Sequence, residues 1–140
     1  MISNEMKKKL TNMAVSASEN SYSPYSNFCV GAALLCADGE IIRGANVENS
    51  SYGGTICAER SALCAAISQG KREFSAIAIV GAHRDKDVDA ICAPCGICRQ
   101  FISEFTDRDF EVILFDGKEI KAYTIEDLLP ASFGRSDLQG

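Results

Sequence analysis

The chain has 140 residues, of which 46% are hydrophobic and 24% charged, and these values predict a single domain over residues 1–140 with a well-formed core. Its net charge of −5 disfavours a nucleic-acid partner, because phosphate backbones are bound through Lys and Arg. No apolar run is long enough to cross a bilayer and the stretch MISNEMKKKL lacks the apolar segment of a signal peptide, so we expect no membrane contact and a cytoplasmic location.

The first half of the chain predicts a helix, a β-hairpin and a second helix. Apolar residues recur at helical spacing over residues 3–21, and the segment SYSPYSN then stops the helix. Two strand-like runs follow, FCVGAALLC and EIIRGANV, and Asp38-Gly39 between them is a hairpin signal. The stretch TICAERSALCAAISQG predicts the second helix, which Thr55 can cap at its start and Gly70 at its end.

The second half of the chain alternates strands with helices. FSAIAIVGA predicts a buried strand, and the polar loop HRDKDVDA follows it. We expect Pro94 to open the next helix, because a fixed φ and a missing N–H are tolerated there. FEVILF and EIKAYT predict two further strands around the Asp116-Gly117 turn, and TIEDLLP predicts a short last helix. The alternation predicts an α/β fold with a mixed sheet between helices, where sites form at strand ends and helix starts.

The seven cysteines are an odd number in a chain without a secretory signal, which argues against a disulfide framework. Closely spaced cytosolic cysteines favour metal binding or catalysis instead. Cys29, Cys36 and Cys64 lie in apolar runs, and we expect them to be small core residues. We expect Cys92 to pack as well.

Cys95 and Cys98 form a C-x-x-C pair at a predicted helix start, where they share a face. The positive end of the helix favours their thiolates. On its own the pair fits a redox site or half of a zinc ribbon. An iron–sulfur site would need a further Cys and then a Pro soon after, where the chain has Arg99, Gln100 and Phe101.

Cys57 is the candidate for a third ligand, because it also lies at a helix start. His83 is the only histidine and lies in a Lys/Asp-rich loop, where we expect it to be solvated. Three thiolates leave one open position on tetrahedral zinc, which is typical of a catalytic site. Glu59 follows Cys57 in the first turn of its helix, where a carboxylate can take a proton from water and return it to a leaving group.

The combination C-A-E … P-C-G-I-C-R-Q resembles the cytidine deaminase family, in its small, homotetrameric, three-cysteine type. The stretches YSPYSNFCVGAALL, GANVENSSYG and LLPASFG are also similar to that family, so the resemblance covers nearly the whole chain. It implies a zinc cofactor and hydrolytic deamination of cytidine and deoxycytidine in pyrimidine salvage. It also implies a three-layer α/β/α sandwich with a mixed five-stranded sheet, and a homotetramer with shared active sites.

The same resemblance implies roles for individual residues. Zinc would be held by Cys57, Cys95 and Cys98. Arg60 would offset the negative charge that three thiolates place on the metal. Glu59 would transfer protons, the Ala58 N–H would donate to the base carbonyl, and Phe28 would pack on the pyrimidine. Asn46 and Glu48 would contact the sugar. Phe133 would contact a neighbouring subunit's site, and Tyr25 and Tyr52 would make weaker contacts near the sugar or a subunit boundary.

Three alternatives remain open on sequence grounds. The blasticidin S deaminases also contain C-A-E and P-C-x-x-C, although the segment NVEN favours a plain nucleoside. A nucleotide deaminase is disfavoured because no basic phosphate pocket is evident and its usual ligand set includes His. A structural zinc knuckle would need a fourth protein ligand and would have no use for Glu59.

Overall fold

Five strands and five α-helices make up the part of the chain that this computed structural model describes, residues 1–139. Their bounds are α1 Asn4–Ser18, β1 Phe28–Cys36, β2 Ile41–Ala45, α2 Ala58–Ser68, β3 Phe74–His83, α3 Gly96–Phe105, β4 Glu111–Phe115, β5 Ile120–Thr124, α4 Ile125–Leu128 and α5 Arg135–Gln139. The strands form one mixed sheet in the order β2-β1-β3-β4-β5. Strands β3 and β4 pair in parallel, and the other neighbours are antiparallel. No helix within residues 1–139 is long and apolar enough to span a bilayer.

Helices cover both faces of the sheet, which confirms the predicted three-layer α/β/α architecture. Strand β1 is buried on both sides because successive side chains point to opposite faces. Its Ala33 and Leu35 pack with Leu10 and Ala14 of α1. Its alternate residues Ala32 and Leu34 pack in a second cluster with α2 and α3, the helices that carry the candidate metal ligands.

The absence of a side chain at Gly44 lets α2 lie close to the sheet. A Cβ at this position would lie 2.5 Å from the carbonyl oxygen of Ala58 and 2.6 Å from the nitrogen of Ala62. Both distances are far below ordinary van der Waals contact, so only glycine permits this approach. Gly44 therefore fixes where the first turn of α2 lies.

Two predicted helix starts were wrong by two residues. The N-cap of α2 is Cys57 instead of Thr55, because Ile56 is held in an extended bridge to Val47 by two backbone hydrogen bonds of 2.9 Å. The N-cap of α3 is Cys95, so Pro94 precedes the helix instead of opening it. The predicted end of α2 is confirmed, since Gly70 follows the helix with φ +90°, which favours glycine.

Some smaller expectations also need correction. Cys64 is exposed, although Cys29 and Cys36 are buried as predicted. The less buried positions of α2 include Cys64, Ala65 and Ile67, so apolar periodicity alone does not show which side of the helix is buried. His83 is the exposed last residue of β3, not part of the loop after it. Helix α1 ends at Ser18 instead of continuing to residue 21, and a short 3-10 turn over Tyr52–Gly54 was not predicted.

Candidate metal centre and active site

The structure brings the thiols of Cys57, Cys95 and Cys98 together. Their sulfur atoms all lie within 4.8 Å of one another, and those of Cys57 and Cys95 are 3.8 Å apart. Tetrahedral zinc with Zn–S bonds of about 2.3 Å separates two sulfur ligands by about 3.8 Å. The spacing and the soft donor set therefore fit zinc.

Two helix starts place these thiols. Cys57 and Cys95 are the N-caps of α2 and α3, and both have extended backbone angles. Neither side chain makes a capping hydrogen bond, so both sulfur atoms remain available to a metal. Cys98 lies one turn into α3 and is fully buried. The positive ends of both helices meet at the cluster and favour negative charge on sulfur.

The electrostatics of the cluster favour a bound cation. The pKa of Cys57 is lowered to about 5, first by a hydrogen bond from the Cys98 thiol and also by the guanidinium of Arg60. The same hydrogen bond, together with burial, raises the pKa of Cys98. These opposite shifts arise from one interaction and belong to the pair of thiols, which can share a proton. A metal ion would take the place of that proton.

Arg60 lies beside the thiols. Its Nη2 donates to the Cys57 sulfur at 3.5 Å and to the Thr55 carbonyl at 3.4 Å. Hydrogen bonding to the Cys57 sulfur raises the pKa of Arg60. Its Nε is buried and has no hydrogen-bond partner among residues 1–139. An unused donor at this place suits a site that gains negative charge.

Glu59 is buried in the first turn of α2, with 3% of its surface exposed. Burial raises its pKa, and the charge of Cys57 raises it further. A carboxyl group whose pKa moves towards neutrality can both accept and donate a proton. Such burial would only cost stability if the carboxylate had no chemical role.

Asn46 and Glu48 hold the segment that leads into β1. The Oδ1 atom of Asn46 accepts hydrogen bonds from the Val30 N–H, at 2.9 Å, and from the Ser21 hydroxyl. Its Nδ2 donates to the Phe28 carbonyl at 2.9 Å. Asn46 thus joins the end of β2 to the start of β1. Its Nδ2 group has two hydrogens and uses one of them here, so the other remains for another partner.

Glu48 makes a similar set of contacts. Its Oε1 accepts from the backbone N–H groups of Tyr25 and Ser26 at 3.0 and 3.1 Å, and the Ser26 hydroxyl donates to its Oε2. These bonds lower the pKa of Glu48, the Ser26 hydroxyl most of all. Sequence reasoning missed the contribution of Ser21 and Ser26, since serines in a loop are too common to indicate a particular partner.

Four aromatic side chains with expected site roles lie partly or largely at the surface. Phe28 is half-buried at the start of β1, and its ring meets that of His83 edge to face at 5.1 Å. The exposed rings of Tyr25 and Tyr52 lie 5.8 Å apart. Phe133 is 58% exposed, and its carbonyl accepts a 2.9 Å hydrogen bond from Gln100 of α3. Ala58, the first residue of α2, has one of the N–H groups that a helix leaves without an internal partner.

Thiols at two helix starts beside a buried glutamate are the arrangement that zinc-dependent deaminases use. Residues 4–114 match the sequence model of the cytidine and deoxycytidylate deaminase zinc-binding region. The chain belongs to this family, and the prediction of zinc as its cofactor is confirmed.

Individual relatives agree in sequence and in structure. A cytidine deaminase of Halalkalibacterium halodurans is 45% identical over 133 residues, which cover 94% of this chain and 97% of that protein. A blasticidin-S deaminase of Bacillus cereus is 36% identical over 110 residues, 76% of this chain and 78% of that protein. The crystal structure of cytidine deaminase from Burkholderia pseudomallei matches with a TM-score of 0.83 at 42% identity, covering 94% of this chain and 100% of that chain. These likenesses confirm the predicted family and fold.

Proposed function

We propose that this chain catalyses the hydrolytic deamination of cytidine and deoxycytidine to uridine and deoxyuridine, with release of ammonia. The observation that carries the proposal is the carboxyl of Glu59, buried beside Cys57 and Cys98. The names of the relatives supply the substrate class, since those of Halalkalibacterium halodurans and Burkholderia pseudomallei are cytidine deaminases.

Cys57, Cys95 and Cys98 would hold the zinc ion. When bound there, zinc supplies Lewis-acid activation of a water molecule. Glu59 would take one proton from the water that attacks C4 of the ring and deliver it to N3. It would then take the second proton from the hydroxyl group formed on C4 and deliver it to the amine, which leaves as ammonia as the C4–N bond breaks and the carbonyl forms. Arg60 would limit the negative charge of the thiolates through its hydrogen bond to Cys57.

The remaining site residues would bind and orient the nucleoside. The Ala58 N–H would donate to the pyrimidine carbonyl, and the Phe28 ring would pack against the base. Asn46 and Glu48 would contact the sugar from the positions in which they already hold the segment leading into β1. Nucleoside binding would therefore rest on side chains whose rotamers are fixed before substrate arrives.

We further propose that the protein is a cytoplasmic homotetramer whose sites use residues of more than one subunit. Support comes from apolar side chains that are largely exposed, among them Tyr52 at 76% and Phe133 at 58%. Closed homo-oligomers bury exposed apolar residues symmetrically at their subunit interfaces. The free state of all seven cysteines is typical of a reducing compartment.

The proposed function is tested by measuring zinc content together with turnover of cytidine, deoxycytidine, blasticidin S and dCMP. We expect about one zinc per chain, the stoichiometry of a single three-thiolate site, and turnover of the first two substrates. Faster turnover of blasticidin S would support the activity named for the Bacillus cereus relative. Zinc without turnover of any substrate would support a structural zinc site and contradict the proposal.

A further inference from the structure

Strand β3 carries no side chain at the place where the Phe28 ring lies against it. A Cβ built on Gly81 would lie 2.7 Å from Cε2 of Phe28 and 2.9 Å from both Cβ and Sγ of Cys92. Real side-chain atoms do not approach one another so closely. The aromatic ring and the thiol therefore occupy the space that any larger residue at position 81 would need.

The strand register explains how these groups meet. Phe28 pairs with His83, and Val30 pairs with Gly81, across the antiparallel β1–β3 pair. Residues two apart on a strand share a face, so Phe28, Gly81 and His83 point to the same side of the sheet. The Phe28 ring reaches diagonally over Gly81 and also meets His83 edge to face, at an interplanar angle of 80°.

Cys92 is the second side chain that borders the space above Gly81, and it lies near enough to the candidate metal centre for the charges of Glu59 and Cys57 to act on it. It is half-buried and packs against the core cluster that contains Ala58 and Ala62 of α2. Burial raises its pKa to about 11, and the nearby charges of Glu59 and Cys57 act in the same direction. Cys92 thus presents a compact, partly buried side chain beside the Phe28 ring, on the space above Gly81.

We infer that Gly81 and Cys92 are positioning residues for Phe28, and that together they set how far its ring projects from β3 towards the bound base. The inference rests on the proposed function, in which Phe28 packs against the pyrimidine. A larger side chain at either position pushes the ring outwards into space that the base needs. The Phe28 ring would contact the base in the ground state and in the transition state alike. Displacing the ring therefore raises KM and leaves kcat nearly unaltered.

The test compares the kinetics of Gly81→Ala with those of the parent protein, using cytidine and zinc-loaded enzyme. We expect KM to rise roughly tenfold or more, the scale of one misplaced methyl group in an apolar pocket, with kcat within about twofold and zinc unchanged. Cys92→Val enlarges the other side of the contact and is expected to raise KM in the same way. If Gly81→Ala does not fold, Cys92→Val still tests the inference.

Two further variants separate positioning from general loss of stability. In Gly81→Ala/Cys92→Gly both side-chain atoms of Cys92 are removed as the methyl group is added, so the methyl group and the ring can shift into the vacated space and part of the lost affinity should return. Val80→Ala lies on the same strand but packs on the opposite face, against α1, and is expected to lower the melting temperature without raising KM.

Unaltered KM in every folded variant at Gly81 or Cys92, while the parent deaminates cytidine, would overturn the inference alone. An equal rise of KM in Val80→Ala would overturn it too, because the effect would then not be specific to the Phe28 contact. A zinc-loaded parent without cytidine turnover would overturn the proposed function and this inference together.

Discussion

At the scale of single residues, the proposed chemistry depends on the carboxyl group of Glu59, which is almost completely withdrawn from water. Glu59→Gln retains the size and hydrogen bonding of the side chain but cannot carry a proton. We expect zinc content to be unchanged and kcat for cytidine to fall roughly 10²–10⁴-fold, the usual effect of removing an acid–base group. The melting temperature should not fall, since the amide no longer requires a carboxyl group to be buried. Near-normal turnover would contradict the role of Glu59.

The thiols give a second prediction at this scale. Serine at Cys57, Cys95 or Cys98 should reduce bound zinc well below one per chain, because a hydroxyl is a much poorer zinc ligand than a thiolate. Cys64→Ser is the matched control, since Cys64 is exposed on α2 away from the cluster and the substitution should leave zinc and activity intact. Metal analysis of the purified variants checks both outcomes, and full retention of zinc in all three ligand variants would refute the assignment.

The sequence predicts which residue types come together better than it predicts what each one contacts. The pattern C-A-E with P-C-x-x-C specifies a metal-site chemistry, because few other functions need three thiols and a carboxylate at helix starts. The hydrogen bonds of Asn46 to Val30 and Phe28 depend on strand register, which the local sequence does not contain. Cys64 was placed wrongly for a similar reason, because α2 is apolar on several sides and only the packed sheet selects its buried face.

At the scale of secondary-structure elements, the distance between α2 and β2 is set by a glycine. Gly44→Ala would place a methyl group 2.5 Å from the Ala58 carbonyl oxygen, so α2 must move away from the sheet. We expect a loss of roughly 1–3 kcal/mol in stability, as for other overpacked sites, together with weaker zinc binding because Cys57 caps this helix.

Gly53→Ala is the matched control for that experiment, because its added methyl group would meet nothing within 4 Å. Thermal unfolding and zinc titration of the two variants should therefore differ. Equal melting temperatures and equal zinc affinities would contradict the close approach at Gly44.

The elements themselves could largely be predicted, whereas their starts could not. Strands β1, β3 and β4 are continuous apolar runs because both of their faces are covered, and such runs are visible in the sequence. The start of α2 depends on the pairing of Ile56 with Val47, which keeps the chain extended beyond Thr55. That contact belongs to the tertiary structure and leaves no local signal.

At the scale of the whole molecule, Phe133 tests whether subunits share their sites. Its ring is exposed although its carbonyl is fixed by Gln100, so the backbone is tied to α3 while the side chain faces outwards. We expect Phe133→Ala to raise KM, lower turnover and weaken the proposed homotetramer, with zinc retained. Light scattering at assay concentration, combined with kinetics, checks this. A fully active monomer, or unaltered kinetics in the variant, would remove the shared-site proposal.

The family and the layered architecture follow from several motifs that occur in the same order along the chain. Assembly does not follow from composition, because exposed rings such as Tyr52 look like ordinary loop residues in the sequence. The short helix α5 was not predicted either, as five residues after a turn carry too little periodicity to indicate a helix.

The capping cysteines of α2 and α3 also bear on how long the protein survives in a cell. Cys57 and Cys95 are 38 positions apart, and the whole of β3 lies between them. One ion bound to both acts as a cross-link, and closing a loop of that length with a covalent bridge is worth about 4 kcal/mol of chain entropy. Metal starvation would therefore do more than silence catalysis: it would enlarge the unfolded fraction that proteases remove. The abundance of the protein would then follow the supply of its metal.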